Sequence, residues 1–324
     1  MADLDFEAPF AEGLKRLTEL RAYRGDPGKE REAAVLKAQL DKDRREIYAN
    51  LTSWQRTLVA RHPNRPYTLD YAGALFTDFM EVKGDRRFAD DPAIVCGFGR
   101  FEGRAVCVIG HQKGRDTKQK IYRNFGMPKP EGYRKAMRIM RVAEKFGRPI
   151  LTFVDTPGAY PGLDAEERGQ AEAIAFNLRE MAKLTVPVIV TVVGEGGSGG
   201  ALAIAVGNRV NMLENSVYSV ITPEGCASIL WRDPGRAPEA AKAMKVAASD
   251  LRELGLIDEI IEEPPGGAHS DHDATFDAVR AVLTRQLRDL KDKTVKELLD
   301  ERYDKFRAMG RLGQDLVEGD GQPS

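Results

Sequence analysis

The chain has 324 residues, 42% of them hydrophobic and 31% charged, with a formal net charge of −1. That balance predicts a globular α/β protein with a charged helical periphery, and it excludes an overall field that would draw in nucleic acid or a membrane surface. No apolar run is long enough to span a bilayer, and the opening MADLDFEAPF is acidic where a secretory signal would be basic, so a cytoplasmic location is expected. Cys96, Cys107 and Cys226 are scattered and odd in number, and His62, His111, His269 and His272 show no metal-ligand spacing. Reduced thiols and no metal are therefore expected.

Residues 1–60 read as an N-terminal helical extension, with Ala34, Leu36, Leu40, Ile47 and Leu51 forming a stripe among charged residues. The proline-bearing turn HPNRPYTLDY, 62–71, feeds a helix predicted over 69–79. Two strands about a turn at 101–103 are expected in AIVCGFGRFEGRAVCVIG, 93–110. Residues 111–148 then hold twelve Lys or Arg against three acids, Asp116, Glu131 and Glu144. From 134 onward the charges read as a solvated helix face. In the loop part, HQKGR, Lys113 and Arg115 are candidates for a phosphate-bearing ligand, with Tyr122 and Phe125 nearby.

PILTFVD, 149–155, reads as a buried strand that ends in the small-residue loop TPGAYPG, 156–162, and a helix over 165–184 follows. The β-branched run 186–193 is a second buried strand. Five of the next seven residues, 194–200, are glycine, and ALAIAV suits a short buried helix. Strand, crossover helix, strand is a parallel unit, which puts the 156–162 and 194–200 loops at one sheet edge, lining one crevice. Short strands are predicted at 210–213 and 217–221, and a helix over 221–231 with Pro223 in its first turn. A helix over 237–254, a strand over 256–261, a loop over 262–273, a long helix from 275 to about 309 and a disordered tail complete the chain.

The glycine stretch meets several templates. Gly194, Gly196 and Gly199 fit GxGxxG, but the helix after them stops at Gly207-Asn208, too short for a dinucleotide crossover. Gly196, Ser198 and Gly200 fit the GxSxG elbow of a serine hydrolase, with Asp250 or Asp258 and His269 or His272 in the right chain order, although those histidines sit in a polar loop. A third reading needs no side chain: the N–H groups of Gly199 and Gly200 form an oxyanion hole, unobstructed by any Cβ, at a helix start. It favours a reaction in which charge builds on one oxygen.

The blocks GHQKGRDTKQKIYRNFGMPKPEGYRKA, FVDTPGAYPG, EERGQAEAIAFNLREM, GEGGSGGALAIAVGN and YSVITPEGCASILW together resemble the carboxyltransferase α subunits of bacterial acetyl-CoA carboxylase. The resemblance covers nearly all of residues 40–265, and RHPNRPYTLDY looks like the same family's entry segment. It implies an α/β, crotonase-like (ClpP/crotonase) fold of repeated ββα units as a core over 61–265, a C-terminal helical region over 266–312 and a tail over 313–324.

The implied partners are a β subunit carrying a zinc ribbon, in an α2β2 assembly, with a biotin carboxyl carrier protein and a biotin carboxylase. The implied reaction moves a carboxyl group from carrier-bound carboxybiotin to acetyl-CoA, giving malonyl-CoA for fatty acid biosynthesis, with ATP used by another component and no membrane or nucleic acid involved. The family's pattern puts the hole that steadies negative charge on the biotin oxygen at Gly199 and Gly200. Gly158 and Ala159 are then expected as the neighbouring wall or a second N–H donor, and Gly196 and Gly197 as further substrate contacts. A non-catalytic scaffold for the complex stays open beside the hydrolase. Asn208 departs from the pattern, standing where an acidic residue is expected, and Tyr122 interrupts the basic run.

Overall fold

The computed structural model describes residues 4–23 and 25–310; the tail expected to be disordered lies outside them. Helices α1 (Ala8–Ala22), α2 (Pro27–Ala49) and α3 (Ser53–Ala60) come first, then α4 (Thr68–Leu75) and the strands β1 (Thr77–Glu81), β2 (Ile94–Phe101) and β3 (Arg104–His111). Next are α5 (Thr117–Tyr122), α6 (Pro130–Lys145), β4 (Ile150–Thr156), α7 (Leu163–Glu167), α8 (Gln170–Met181), β5 (Val188–Gly197) and α9 (Ser198–Leu202). The chain continues through β6 (Arg209–Leu213), β7 (Val217–Ser219), α10 (Pro223–Trp231), α11 (Ala237–Met244), α12 (Ala248–Glu253), β8 (Glu259–Ile261), α13 (His272–Lys291) and α14 (Val295–Ala308).

The described strands form one sheet in the order β1-β2-β3-β4-β5-β6-β8, with β7 paired to β5. β1, β2 and β3 are antiparallel; β3, β4, β5, β6 and β8 run parallel. The expected ββα turns appear as β2-β3-α6 and β6-β7-α10. Side chains alternate across a strand, so β5 sends Val188, Val190 and Val192 into one core with Tyr133, Met140 and Ala173 of the flanking helices. Ile189 and Val193 enter the opposite core with Tyr71, Phe153, Leu283 and Leu287. Helix α13, from the segment expected as a C-terminal helical region, thus covers one face of the sheet. The N-terminal hairpin of α1 and α2 packs a small core of its own from Phe10, Leu17, Leu20 and Leu40.

Several predicted elements are cut differently. The helix over 69–79 stops at Leu75, and Thr77–Glu81 pairs with β2 instead; a Cβ at Gly97 would lie 2.4 Å from the Met80 carbonyl, so the glycines of β2 let β1 cross close above them. The helix over 165–184 breaks at Gly169 (φ 81). The helix over 237–254 breaks at Lys245 (φ 51), after which Val246 accepts a hydrogen bond from the Tyr218 N–H. The long helix from 275 ends at Lys291, and Thr294 with Glu297 starts a new one through a capping box. No described helix is long and apolar enough to cross a membrane.

Candidate active site at the glycine strand

Because β4 and β5 are parallel, their C-terminal ends meet, and β5 extends four residues past its predicted end, through Gly197. Val154 pairs with Val192 but Thr156 with Gly196, so β5 carries two extra residues opposite Asp155. Such a bulge re-aims side chains at a strand end. Gly194 is required there: a Cβ would sit 2.3 Å from Asp155 Oδ1. The Asp155 carboxylate instead accepts the Glu195 N–H at 2.9 Å.

Lys113 closes this corner. Its ammonium lies 2.7 Å from Asp155 Oδ1 and 2.8 Å from Glu195 Oε2. Arg61 at the end of α3 takes the other Glu195 oxygen at 2.6 Å and reaches Glu224 at the start of α10. Burial raises the Glu195 carboxyl, but Lys113 and Arg61 outweigh it and hold the group down to about 2. Burial likewise opposes charge on Lys113, and the two carboxylates more than restore it, so Lys113 and Glu195 stay ionised at neutral pH. Lys113 is therefore turned inward and neutralised, which corrects its expected role as a phosphate-binding cation. Arg115 pairs with Asp70, lies 4.5 Å over the Tyr67 ring and donates to the Pro63 carbonyl at 2.8 Å, so it pins the 63–70 turn from an exposed position.

Above the corner, Ser198 (φ 56) adopts a left-handed backbone that turns β5 into α9. The first N–H groups of a helix have no intrahelical acceptor, and among the described residues no carbonyl takes the N–H of Gly199 or Gly200. Gly200 is buried against the TPGAYPG loop: a Cβ would come within 2.5 Å of Ala159 N and 2.6 Å of the Gly158 carbonyl carbon. The two small-residue loops are thus side by side. Gly158 cannot be a second donor, because its N–H is bonded to the Thr156 hydroxyl at 3.1 Å. Gly196 and Gly197 lie inside β5, where Tyr218 and the Pro157 carbonyl leave no room for a Cβ, so their part is close packing rather than ligand contact.

Gly199 and Ser198 line an apolar cavity of about 280 Å³ with Leu202, Tyr218, Leu256 and Phe306. Among the described residues no histidine or carboxylate lines it. His269 is stacked on His62 at 3.8 Å and lies 3.5 Å from Glu7, and His272 lies 2.6 Å from the Asn64 carbonyl. Asp258 is bonded to the Val210 N–H and to Lys305. The residues a serine hydrolase needs are engaged elsewhere, which corrects that alternative.

Sequence reasoning missed Arg61, Asp155, Glu195 and His111. Two acids at the ends of otherwise apolar strands were the available signal, since a buried carboxylate needs a cation. His111 is fully buried at the end of β3. Its Nδ1 accepts the Asp155 N–H at 3.4 Å, and Nε2 faces the Gly200 backbone without completing a hydrogen bond. Burial pushes its pKa down to about 3, so it is neutral.

Residues 3–310 match the family described as acetyl co-enzyme A carboxylase carboxyltransferase-like. The chain is 63% identical to an acetyl-coenzyme A carboxylase carboxyl transferase subunit alpha of Syntrophotalea carbinolica, over 94% of this chain and 97% of that one. It is 58% identical to the subunit of the same name from Geobacter metallireducens, over 96% and 98%. Among solved structures it is similar to transcarboxylase 12S with a TM-score of 0.58 at 20% identity, covering 71% of this chain and 42% of that chain, and this likeness concerns the crotonase-like fold.

Proposed function

The chain belongs to the family of acetyl-CoA carboxylase carboxyltransferase α subunits, transferases that act through biotin-dependent chemistry in a complex with other subunits, and we propose that Gly199 and Gly200 are its oxyanion hole. The observation that carries this is the pair of main-chain N–H groups at the strand-to-helix turn that find no acceptor among the described residues. Gly199 opens on the apolar cavity, whose size and lining suit a small fused ring, and Gly158–Ala159 form the wall behind Gly200. Carboxybiotin, when bound, supplies the carboxyl group that acetyl-CoA receives to become malonyl-CoA.

The chain's own part is to donate from these N–H groups to an oxygen gaining charge and to keep water away with Leu202, Tyr218, Leu256 and Phe306. The donors are set before the reaction begins, so they need no reorganisation as charge grows; losing one costs about 3 kcal/mol in the barrier. The Lys113–Asp155–Glu195–Arg61 cluster fixes the strand end that carries them. In this reading biotin is carried by a separate carrier protein and ATP is used by a biotin carboxylase. A zinc-bearing β subunit completes an α2β2 assembly that works in the cytoplasm.

Malonyl-CoA formation by the chain co-expressed with a β subunit tests the proposal. Gly200→Val should abolish turnover while the complex still assembles, and Ser198→Ala should leave it largely intact. Full turnover in the Gly200 variant would remove the hole, and labelling of Ser198 by a fluorophosphonate with loss of activity in Ser198→Ala would return the hydrolase.

A further inference from the structure

A second cavity, of about 310 Å³, lies between α6, α8 and the loop at 84–90, and it shares no lining residue with the cavity at the glycine helix. Five arginines line it, Arg86, Arg87, Arg134, Arg138 and Arg141, against the acids Asp85 and Glu172. Two of the five are neutralised: Arg134 by Asp85 at 2.9 Å and Glu131 at 3.2 Å, and Arg141 by Glu144 at 2.6 Å and by Glu180. Arg138 donates to main-chain oxygens, Gly84 at 2.8 Å and Lys83 at 3.1 Å, and meets no carboxylate among the described residues. Arg86 and Arg87 meet no carboxylate among the described residues.

The loop is built to hold those charges in place. The buried Asp85 carboxylate accepts the N–H groups of Arg87, Phe88 and Ala89 at 2.9, 2.8 and 3.1 Å while it pairs with Arg134. Arg86 is held at φ 64, a left-handed backbone that favours glycine or asparagine. A residue kept there by surrounding hydrogen bonds is strained, and such strain clusters where ligands are clamped. Three guanidiniums without an ion-pair partner among the described residues share one concavity with Glu172, the single acid there besides Asp85, and each presents a planar fork that matches phosphate oxygens. A single carboxylate would neutralise one of them; linked phosphates would meet all three.

We infer that this cleft binds a polyphosphate group, at a site separate from the glycine centre and independent of the oxyanion-hole reading. Two sources share that chemistry, a free nucleotide and the phosphate-bearing end of coenzyme A, and they differ in what they do to turnover.

Calorimetric titration of the assembled carboxyltransferase with inorganic tripolyphosphate, ADP and coenzyme A tests the site. One tripolyphosphate should bind per α chain, and Arg86→Ala combined with Arg87→Ala should weaken it at least tenfold, with the melting midpoint and the assembly unchanged. Competition by coenzyme A, with a raised KM for acetyl-CoA in the double variant, assigns the site to the substrate's phosphates. Competition by ADP with an unchanged KM assigns it to a free nucleotide. Equal affinity in wild type and double variant would overturn the inference. So would sulfate binding as tightly as tripolyphosphate, or a double variant that loses assembly instead of the anion.

Discussion

Lys113 stands between two buried carboxylates, and its removal leaves both without their shared cation. Breaking a buried pair from one side costs about 3–5 kcal/mol. Lys113→Met is therefore expected to lower the unfolding free energy by that amount and to abolish turnover. Urea titration followed by a malonyl-CoA assay in native conditions checks both. His111 makes a separate prediction for pH. Its folded pKa of about 3 lies below its ordinary 6.5, so the unfolded chain takes up a proton that the folded chain refuses.

The stabilisation from neutral His111 is complete above pH 6.5 and is lost as pH falls from there toward 3, by up to about 1.4 kcal/mol per pH unit. Glu195 acts in the same direction, but only below pH 4.5. His62, lowered to about 4 by burial and by His269, adds to the slope above that point. Asp91, raised to about 6 by burial, opposes it. The difference between wild type and His111→Gln isolates His111: stability measured at pH 5 and pH 6.5 should change less in the variant, and parallel slopes would contradict the assignment.

Among the side chains that fasten helix α14, Arg302 is the most deeply buried. Arg302 donates to the Met181 and Leu184 carbonyls at 2.8 Å each, to Val186 at 3.0 Å and to Asn208 Oδ1 at 2.6 Å. Asn208 also accepts the Val188 N–H and donates to the Leu298 carbonyl. That double use explains why an amide stands where an acid was expected, since a carboxylate has no proton to give. Burial lowers the Arg302 pKa to about 10, still charged at neutral pH.

Arg302→Met would leave several buried oxygens without donors, at about 1–3 kcal/mol each. Hydrogen exchange should speed up across α14 while β5 stays protected, and the KM for the biotin substrate should rise, because Phe306 walls the glycine cavity. The periodicity of this helix was legible in the sequence, but its break at Thr294 was not. A capping box reads as a helix start only once the preceding helix is known to have ended.

Val220 lines the glycine cavity, and Ile229 and Leu230 stand on α10. Val220 is 78% exposed, Ile229 72% and Leu230 64%. Large apolar side chains left this exposed suit an interaction surface, and an α subunit works in a complex. Ile229→Asp with Leu230→Asp should abolish association with a β subunit in analytical ultracentrifugation, while circular dichroism and the melting midpoint of the α chain stay unchanged. Assembly at wild-type strength would move the contact elsewhere.

Local pattern was sufficient for the buried strands at 149–155 and 186–193, for the pairing of their loops at one edge, and for the family itself. Continuous apolar, β-branched runs and long motif blocks are written in consecutive residues. Nothing short of the folded chain could show that Lys113 belongs to Asp155 and Glu195, that Thr156 consumes the Gly158 N–H, or that β5 continues through its glycines. Arg61 and Glu195 are 134 positions apart, and Lys113 and Glu195 are 82 apart. Which charge is neutralised, and which N–H stays free, depends on distances across a sheet that residue spacing does not encode.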